Sequence, residues 1–432
     1  MRAAFATACL TLVACLTAFT QNPVAQALFN RIHQNVREDF KRAPRYTCVQ
    51  TITRLQYRPQ YPNRPHSCPA LIAARAQLSS PGVIVWRDRL RFDVAMGDKG
   101  EMFSWAGATQ FDSGDAGSLA LSGSTGSGDF ATFLGAVFGA DAEQFHYLGN
   151  KDTPFGLLEA FDYKVPQKKS HYTYRSSGSP SRVIGYQGTF YADRETAQIK
   201  RLVVDTAEFP PGDAFCHVTD TMDYGRLKIG EGDFLLPSAA NMVILYSNGE
   251  ESHNLKTYSG CREFTGTSTL RFDDEETQGS PSAVAKAALK ALPPRTRIKV
   301  RIDPPIDSAT AAAGDRITGV VEKDVRKNGQ VVVRTTDRLH GRILRLEEFI
   351  VPTMAWVVAI RFDTIEREGV EQPMVFEPMD DGDRVPVMAS LSRRAPPRPA
   401  LPERPKNAGI FVLPNAGKLV LDKNFHSEWE TR

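Results

Sequence analysis

The strongest constraint on the fold is a regular alternation of apolar and polar residues along residues 185–272. Turn-forming sequences interrupt this alternation at residues 193–196, 230–233 and 247–250. Period-two alternation between turns is typical of antiparallel strands that have one buried and one solvated face. The stretch therefore predicts a meander that forms the C-terminal half of one curved sheet.

Two apolar helices are predicted before this meander. Leu28, Ile32 and Val36 recur in steps of four within residues 28–42, which would place one apolar stripe against the sheet. A shorter helix is predicted to begin near Asp129, because its apolar residues recur at helical spacing: Phe130, Phe133, Leu134, Val137 and Phe138. Two interpretations of this second helix are open. It plugs or caps the sheet, or it forms a lid over an apolar ligand groove.

Gly and Ser are concentrated just before the second helix, in residues 112–127. This composition predicts an exposed, mobile loop. Residues 123–128 share their glycines with phosphate-binding loops, but the Lys-Ser/Thr ending of such loops is missing. The flexible-loop interpretation is therefore preferred.

The chain changes character near residue 275. Residues 273–276 are acidic, and residues 282–292 predict a short Ala-rich helix that ends at Pro293. Short strand-like segments with Gly and Pro punctuation follow, and the Asn328-Gly329 pair predicts a tight hairpin between two of them. The prolines of residues 395–406 predict a loop or arm.

The predicted fold class is thus mainly β (α+β). A curved antiparallel half-open β-barrel with an N-terminal helix and a short apolar helix is expected at residues 28–275. A linker with a short helix is expected at residues 276–296, and a small all-β sandwich or barrel domain at residues 297–432.

The N-terminus predicts export of the protein. Arg2 precedes an apolar run at residues 3–19, and the Ala-Gln-Ala sequence of residues 25–27 predicts a signal peptide (residues 1–27) cleaved after Ala27. A lipoprotein signal is the alternative, because residues 12–15 would allow lipidation and membrane anchoring at Cys15. Both interpretations predict a periplasmic or cell-envelope protein, and we expect no transmembrane helix in the mature chain.

Four cysteines remain once the signal is removed: Cys48, Cys68, Cys216 and Cys261. An even count in an exported chain predicts two disulfides, but it leaves their connectivity open. We prefer the pairs Cys48–Cys68 and Cys216–Cys261, because each closes a local loop. A zinc site is not expected, since no Cys-x-x-Cys pair is present and His217 has no second ligand at zinc-site spacing.

The sequence contains no recognisable catalytic motif. It has no nucleophile elbow, no His-Glu-x-x-His and no Walker loop, and its eight histidines are scattered singly. We therefore expect no catalytic residue, no metal and no other cofactor. The formal net charge of +3 without a dense basic run also argues against a nucleic-acid partner.

Three segments together suggest a family. They are the Leu90-Arg91-Phe92 strand, residues 190–202 (FYADRETAQIKRL) and Leu235-Leu236-Pro237, all of which follow an early amphipathic helix. Residues 28–272 thereby resemble the periplasmic lipoprotein-carrier and sigma-regulator-sensor superfamily, which includes the outer-membrane lipoprotein sorting proteins. The resemblance implies a half-open β-barrel whose concave apolar face, covered by helices, holds lipid chains. Residues 295–432 resemble no family that we can name.

Two functional hypotheses follow from these patterns. In the first, a non-enzymatic envelope protein binds an acyl chain or lipoprotein in its concave sheet, with the apolar helix as part of the groove or lid. In the second, an envelope interaction module docks a protein partner through its C-terminal β domain. An exported hydrolase with a site assembled from distant residues is a third and weaker hypothesis.

Overall fold

The structure is a computed structural model of the chain. It describes residues 23–42, 46–61, 65, 67–97, 100–108, 111, 116–139, 141–176, 179–263, 292–351, 354–379, 405–414 and 417–432. The described residues are mainly β, with 55% in strands and 13% helical, and their large antiparallel sheet is not closed into a barrel. The predicted fold class is confirmed.

The first part of the chain forms ten strands of one antiparallel sheet. These are β1 (Tyr46–Arg58), β2 (Val83–Gly97), β3 (Gly100–Trp105), β4 (Glu143–Thr153), β5 (Gly156–Val165), β8 (Tyr186–Ala192), β9 (Ile199–Thr206), β10 (Phe215–Ile229), β11 (Gly232–Tyr246) and β12 (Glu251–Glu263). The short strands β6 (Thr173–Tyr174) and β7 (Arg182–Val183) pair with each other outside this sheet. Their order across the sheet is β4-β5-β8-β9-β10-β11-β12-β1-β2-β3.

The predicted meander corresponds to β8 through β12. Buried and less buried residues alternate along β10 and β11, as the sequence pattern requires. The turn between β8 and β9 is held by Asp193, whose carboxylate accepts hydrogen bonds from the backbone N and the hydroxyl of Thr196, each at 2.8 Å. Residues 226–229 and 234–236, on either side of the turn predicted at residues 230–233, are the ends of β10 and β11, which form one long hairpin.

Within the described residues, four α-helices accompany this sheet: α1 (Pro23–Arg42), α2 (Cys68–Ala76), α3 (Ala116–Leu119) and α4 (Thr132–Phe138). Leu28, Ile32 and Val36 of α1 are buried, so the predicted apolar stripe is confirmed. Helix α2 was not predicted from the sequence, because the four prolines of residues 57–69 indicate a loop. Ser67 caps this helix by accepting a hydrogen bond from the Ala70 amide at 3.4 Å.

The part of the chain described from residue 292 onwards contributes twelve further strands. They are β13 (Arg297–Ile302), β14 (Ile306–Asp307), β15 (Arg316–Val321), β16 (Val325–Lys327), β17 (Gln330–Val333), β18 (Arg338–Phe349), β19 (Ala355–Arg367), β20 (Val370–Pro373), β21 (Phe376–Pro378), β22 (Gly409–Pro414), β23 (Val420–Leu421) and β24 (His426–Thr431). Strands β16 and β17 form the predicted tight hairpin, in which Asn328 and Gly329 adopt φ values of 51° and 77°.

Strand pairing joins the two parts. Residues 347–349 of β18 pair with residues 86–88 of β2, and the Ala313 backbone exchanges hydrogen bonds of 2.7 and 2.8 Å with Arg91 and Arg89. Arg91 also forms an ion pair with Asp315. Arg89 and Arg91 of β2 therefore lie at the seam with the second part of the chain.

Each part has its own apolar core. Residues of α1, α4 and β5–β10 form the largest core of the first part, and residues of β13–β24 form that of the second. The predicted boundary at residue 275 and most of the linker fall within residues 264–291, outside the described residues. The division into domains stays a prediction.

Two disulfides are present, as predicted, but the preferred pairing was wrong. Cys48 is bonded to Cys261 and Cys68 to Cys216. The assumption of local loops fails because the N-terminal strand β1 lies between β12 and β2, where it meets the last strand of the first part. Pairing therefore joins cysteines 213 and 148 residues apart.

Ala27 lies within α1, and Cys15 lies outside the described residues, as do residues 395–404 of the Pro-rich segment. Neither signal-cleavage alternative is tested. Among the described residues, no helix has the length and apolar character needed to cross a membrane.

Candidate functional site

The helices α1 and α4 pack on one face of the first sheet, which we call the inner face. One half of it, formed by β5, β8, β9 and β10, is lined by aromatic and aliphatic side chains: Phe161, Tyr163, Val165, Tyr186, Phe190, Leu202, Val204, Met222 and Tyr224. Aromatic rings meet closely there, and those of Phe161 and Phe190 stack with centroids 5.1 Å apart. This half is the apolar surface that a lipid-binding interpretation requires.

The five residues predicted for the groove or lid are all buried at the inner face: Phe130, Phe133, Leu134, Val137 and Phe138. The last four share a core with α1, and the Phe138 ring meets the Phe190 ring edge-on at 5.0 Å. Phe130 lies in a neighbouring cluster beside Tyr46 and Tyr258. In this structure α4 therefore plugs the apolar half of the inner face. Its movement as a lid stays a prediction.

Little space remains beneath this helix. A cavity of about 30 Å³ lies between the end of α1, α4 and the β10–β11 hairpin, where Phe40, Leu134 and Phe234 line it. That volume is close to the space of one water molecule. A larger groove of about 450 Å³ lies elsewhere, beside Lys164, Arg182 and Glu208.

The Gly/Ser-rich segment before α4 is the main correction to the sequence analysis. Residues 121–129 lie across the second half of the inner face, on β1 and β12, where Leu121, Gly123 and Ser127 stay exposed and the other six residues are partly or fully buried. Arg54 donates to the Ser122 carbonyl at 2.5 Å, Asn254 to the Ser124 carbonyl at 3.0 Å, and Lys256 to the Gly126 carbonyl at 3.0 Å. We call residues 121–138, which comprise this segment and α4, the plug.

The start of α4 is held by a carboxylate. Glu101 of β3 accepts hydrogen bonds from the amides of Gly128, Phe130 and Ala131 at 2.8–3.0 Å. These amides have no partner within the helix itself, so the carboxylate satisfies donors that would otherwise be buried without one. Burial raises the pKa of Glu101, and the nearby Asp129 charge raises it further.

Buried charges lie between the plug and the sheet. Lys256, with 1% exposure, pairs with Asp129 at 2.5 Å, and the Tyr258 hydroxyl also donates to Asp129. Burial opposes the Lys256 charge, but the Asp129 and Asp220 carboxylates outweigh that effect and raise the pKa of Lys256. Burial raises the pKa of Asp220 to about 7.

A second buried ion pair, Arg54–Asp88, contacts residues 121–129. Arg54 donates to both carboxylate oxygens of Asp88 and stacks over the Trp86 ring at 5.1 Å. Ser122 of the plug donates to Glu347 of β18, so the plug also contacts the second part of the chain at 2.5 Å. Burial raises the pKa of Glu347.

None of the polar residues that hold the plug was predicted from the sequence as a site residue: Arg54, Glu101, Asn254 and Lys256. The sequence of β12 is misleading in this respect, because Asn254 and Lys256 are buried while Leu255 between them is exposed. An apolar residue flanked by polar ones suggests the opposite orientation. Among the described residues, no group of three or more His, Cys, Asp or Glu side chains could hold a metal ion.

Comparisons with known proteins give little further information. No family model and no curated protein match the chain. A solved structure similar to it is the crystal structure of a domain described as an outer membrane lipoprotein-sorting protein from Vibrio parahaemolyticus, with 10% identity and a TM-score of 0.26 over 56% of this chain and 94% of that domain. A likeness at this level carries no argument about function.

Proposed function

We propose that the chain is an exported, non-enzymatic binding protein of the cell envelope. Its ligand is an acyl chain or another long apolar group, which takes the place of α4 on the apolar half of the inner face. The observation that carries the proposal is that an inserted seven-residue helix, and not the strands themselves, fills an aromatic-lined surface. Removal of that helix leaves an apolar groove of the kind that ligand sites favour.

The energetics of such an exchange are balanced. Exposing the side chains of Phe133, Leu134, Val137 and Phe138 costs about 1.5–3 kcal/mol each, and an acyl chain recovers about 0.8 kcal/mol for each buried CH₂. A chain of about a dozen CH₂ groups therefore offsets the loss. Shorter chains do not, so the proposal predicts a dependence of affinity on chain length.

The disulfides support export. Cys48 and Cys216 are both buried and bonded, and bonds of this kind persist in oxidising compartments such as the periplasm. The two disulfides and the predicted signal peptide together support the proposed export.

Displacement of α4 is testable with a buried thiol. In a Leu134→Cys variant the thiol is shielded, and a fluorescent long-chain fatty acid should bind saturably and accelerate thiol labelling at least about tenfold as α4 leaves. The matched control is Ile360→Cys, which places a thiol in the core of the second part, where labelling should not change. Absence of saturable binding, or binding without faster labelling at position 134, would overturn the proposal.

A further inference from the structure

The second half of the inner face, formed by β1 and β12, is polar and binds the main chain of the plug. We call it the polar half. Arg54, Asn254 and Lys256 donate to the carbonyls of residues 122, 124 and 126, which are two residues apart. These three carbonyls face the sheet although the segment bends at residues 121–123, so three donors spaced along β1 and β12 form a ladder that reads backbone and not side chains. Arg54 and Asn254 are direct cross-strand partners.

At two positions of the bound segment, Gly123 and Gly126, the ladder leaves little room for a side chain. A Cβ built on Gly123 would lie 2.8 Å from the Arg54 guanidinium and 3.1 Å from the Trp86 ring, and one built on Gly126 would overlap the Met242 sulfur. Gly123 also has a φ of +67°, which favours glycine. A side chain at Gly123 would have to displace the Arg54 guanidinium, which Asp88 holds in a buried ion pair, and one at Gly126 would have to displace the end of the Met242 side chain.

A charged pocket ends the ladder. Three residues after Gly126, the Asp129 carboxylate meets Lys256 and Tyr258, both of which come from β12. The bound pattern is therefore Gly-x-x-Gly-x-x-Asp, with the acidic side chain fixed by a buried ammonium group.

The plug leaves part of this surface unsatisfied. Asn254 and Gln50 are fully buried, yet the side-chain carbonyl oxygen of each has no hydrogen-bond partner among the described residues. Buried acceptors are nearly always paired in folded proteins, so these two oxygens are suited to amide donors that a different chain would bring.

We propose that this ladder, formed by Gln50, Arg54, Asn254, Lys256 and Tyr258, is a binding site for a Gly/Ser-rich peptide with the pattern Gly-x-x-Gly-x-x-Asp. Residues 121–129 of the chain itself act as a tethered occupant. The inference rests on the proposed function in one respect, since the plug must leave the inner face, but it assigns a peptide ligand to the polar half.

The site is tested by replacing glycine with valine in the protein and, separately, in a peptide ligand. The probe is a fluorescent peptide with the sequence of residues 121–130 (LSGSTGSGDF), and its binding is followed by fluorescence anisotropy. A Gly126→Val protein should bind this peptide at least about tenfold more tightly than the wild type, because its own segment no longer competes at a high effective concentration. A peptide with valine at the position of Gly126, or asparagine at that of Asp129, should bind that variant at least about tenfold more weakly.

A Gly123→Val protein is the second test variant, and circular dichroism with disulfide mapping checks the folding of both. If neither folds, the wild-type protein is titrated to millimolar peptide with the valine peptide as control. Binding that depends on the pattern supports the site. Binding that is absent, or indifferent to the valine and asparagine changes, overturns it.

The outcomes also separate the two proposals. Peptide binding without faster labelling of Leu134→Cys by fatty acid supports the ladder and contradicts the acyl-chain function. Fatty-acid-dependent labelling without peptide binding supports the acyl-chain function and contradicts the ladder.

Discussion

Lys256 is the residue on which the attachment of the plug most depends. Its substitution by methionine keeps the length of the side chain but leaves the Asp129 carboxylate buried without its partner. Breaking a buried pair in this way costs about 3–5 kcal/mol, whereas an exposed pair contributes about 0–1 kcal/mol. We expect Lys256→Met to lower the free energy of unfolding in urea by the larger amount.

The matched control for this substitution is Lys299→Met. Lys299 pairs with Glu322 at 3.3 Å near the surface of the second part, so its loss should change stability little. Equal effects of the two substitutions would show that Lys256 is not a structural anchor.

Asp220 should make stability depend on pH. Its pKa of about 7 in the folded protein exceeds the ordinary value of 3.8, so folding favours the protonated carboxyl. The stability that this group contributes is complete below about pH 4 and is lost as the pH rises towards 7, a change on the order of 3 kcal/mol. Unfolding free energies of Asp220→Asn should therefore vary less with pH over this window and exceed those of the wild type at pH 8.

Asp307→Asn is the control for the pH experiment. The Lys418 hydrogen bond lowers the pKa of Asp307, so its effect on stability has the opposite sign and is lost as the pH falls. A wild-type protein whose stability is flat between pH 4 and 7, or an Asp220→Asn variant with an unchanged pH profile, would contradict the assignment to Asp220.

At the scale of elements, α4 is expected to contribute through packing. Phe133 is buried against Tyr172 and Tyr186, with ring centroids 5.4 and 5.8 Å away. Phe133→Ala should lower the unfolding free energy by about 3–5 kcal/mol, because it removes a buried ring and leaves a cavity. The comparison is Phe155→Ala in the exposed β4–β5 turn, which should cost less than about 1 kcal/mol. If chemical denaturation showed similar losses of unfolding free energy for Phe133→Ala and Phe155→Ala, the buried position of α4 would be contradicted.

Sequence patterns predicted those elements whose formation depends on local periodicity. The alternation of residues 215–246 and the steps of four in α1 are direct consequences of one buried face. The plug was misjudged because its Gly/Ser composition resembles that of a free loop. Its position depends on donors from β1 and β12, which lie about 70 and 130 residues away in sequence, and no local pattern encodes such contacts.

The whole molecule shows why the disulfide pairing was not predictable. The position of β1 between β12 and β2 is a property of the complete sheet, and only this topology brings Cys48 to Cys261. Mass spectrometry of non-reduced proteolytic fragments should find linked peptides that contain Cys48 with Cys261 and Cys68 with Cys216. Peptides that link Cys48 with Cys68 would contradict the topology of the first part.

The central claim is that the plug occupies a ligand site and leaves it when an apolar ligand binds. Hydrogen–deuterium exchange of the amides of Phe133 and Gly135, which are hydrogen-bonded at 2.8 and 3.0 Å to Gly128 and Ala131, measures this directly. With saturating long-chain fatty acid, we predict faster exchange at these amides and unchanged exchange in β18 and β19. Unchanged or slower exchange in α4 at saturation would contradict the claim.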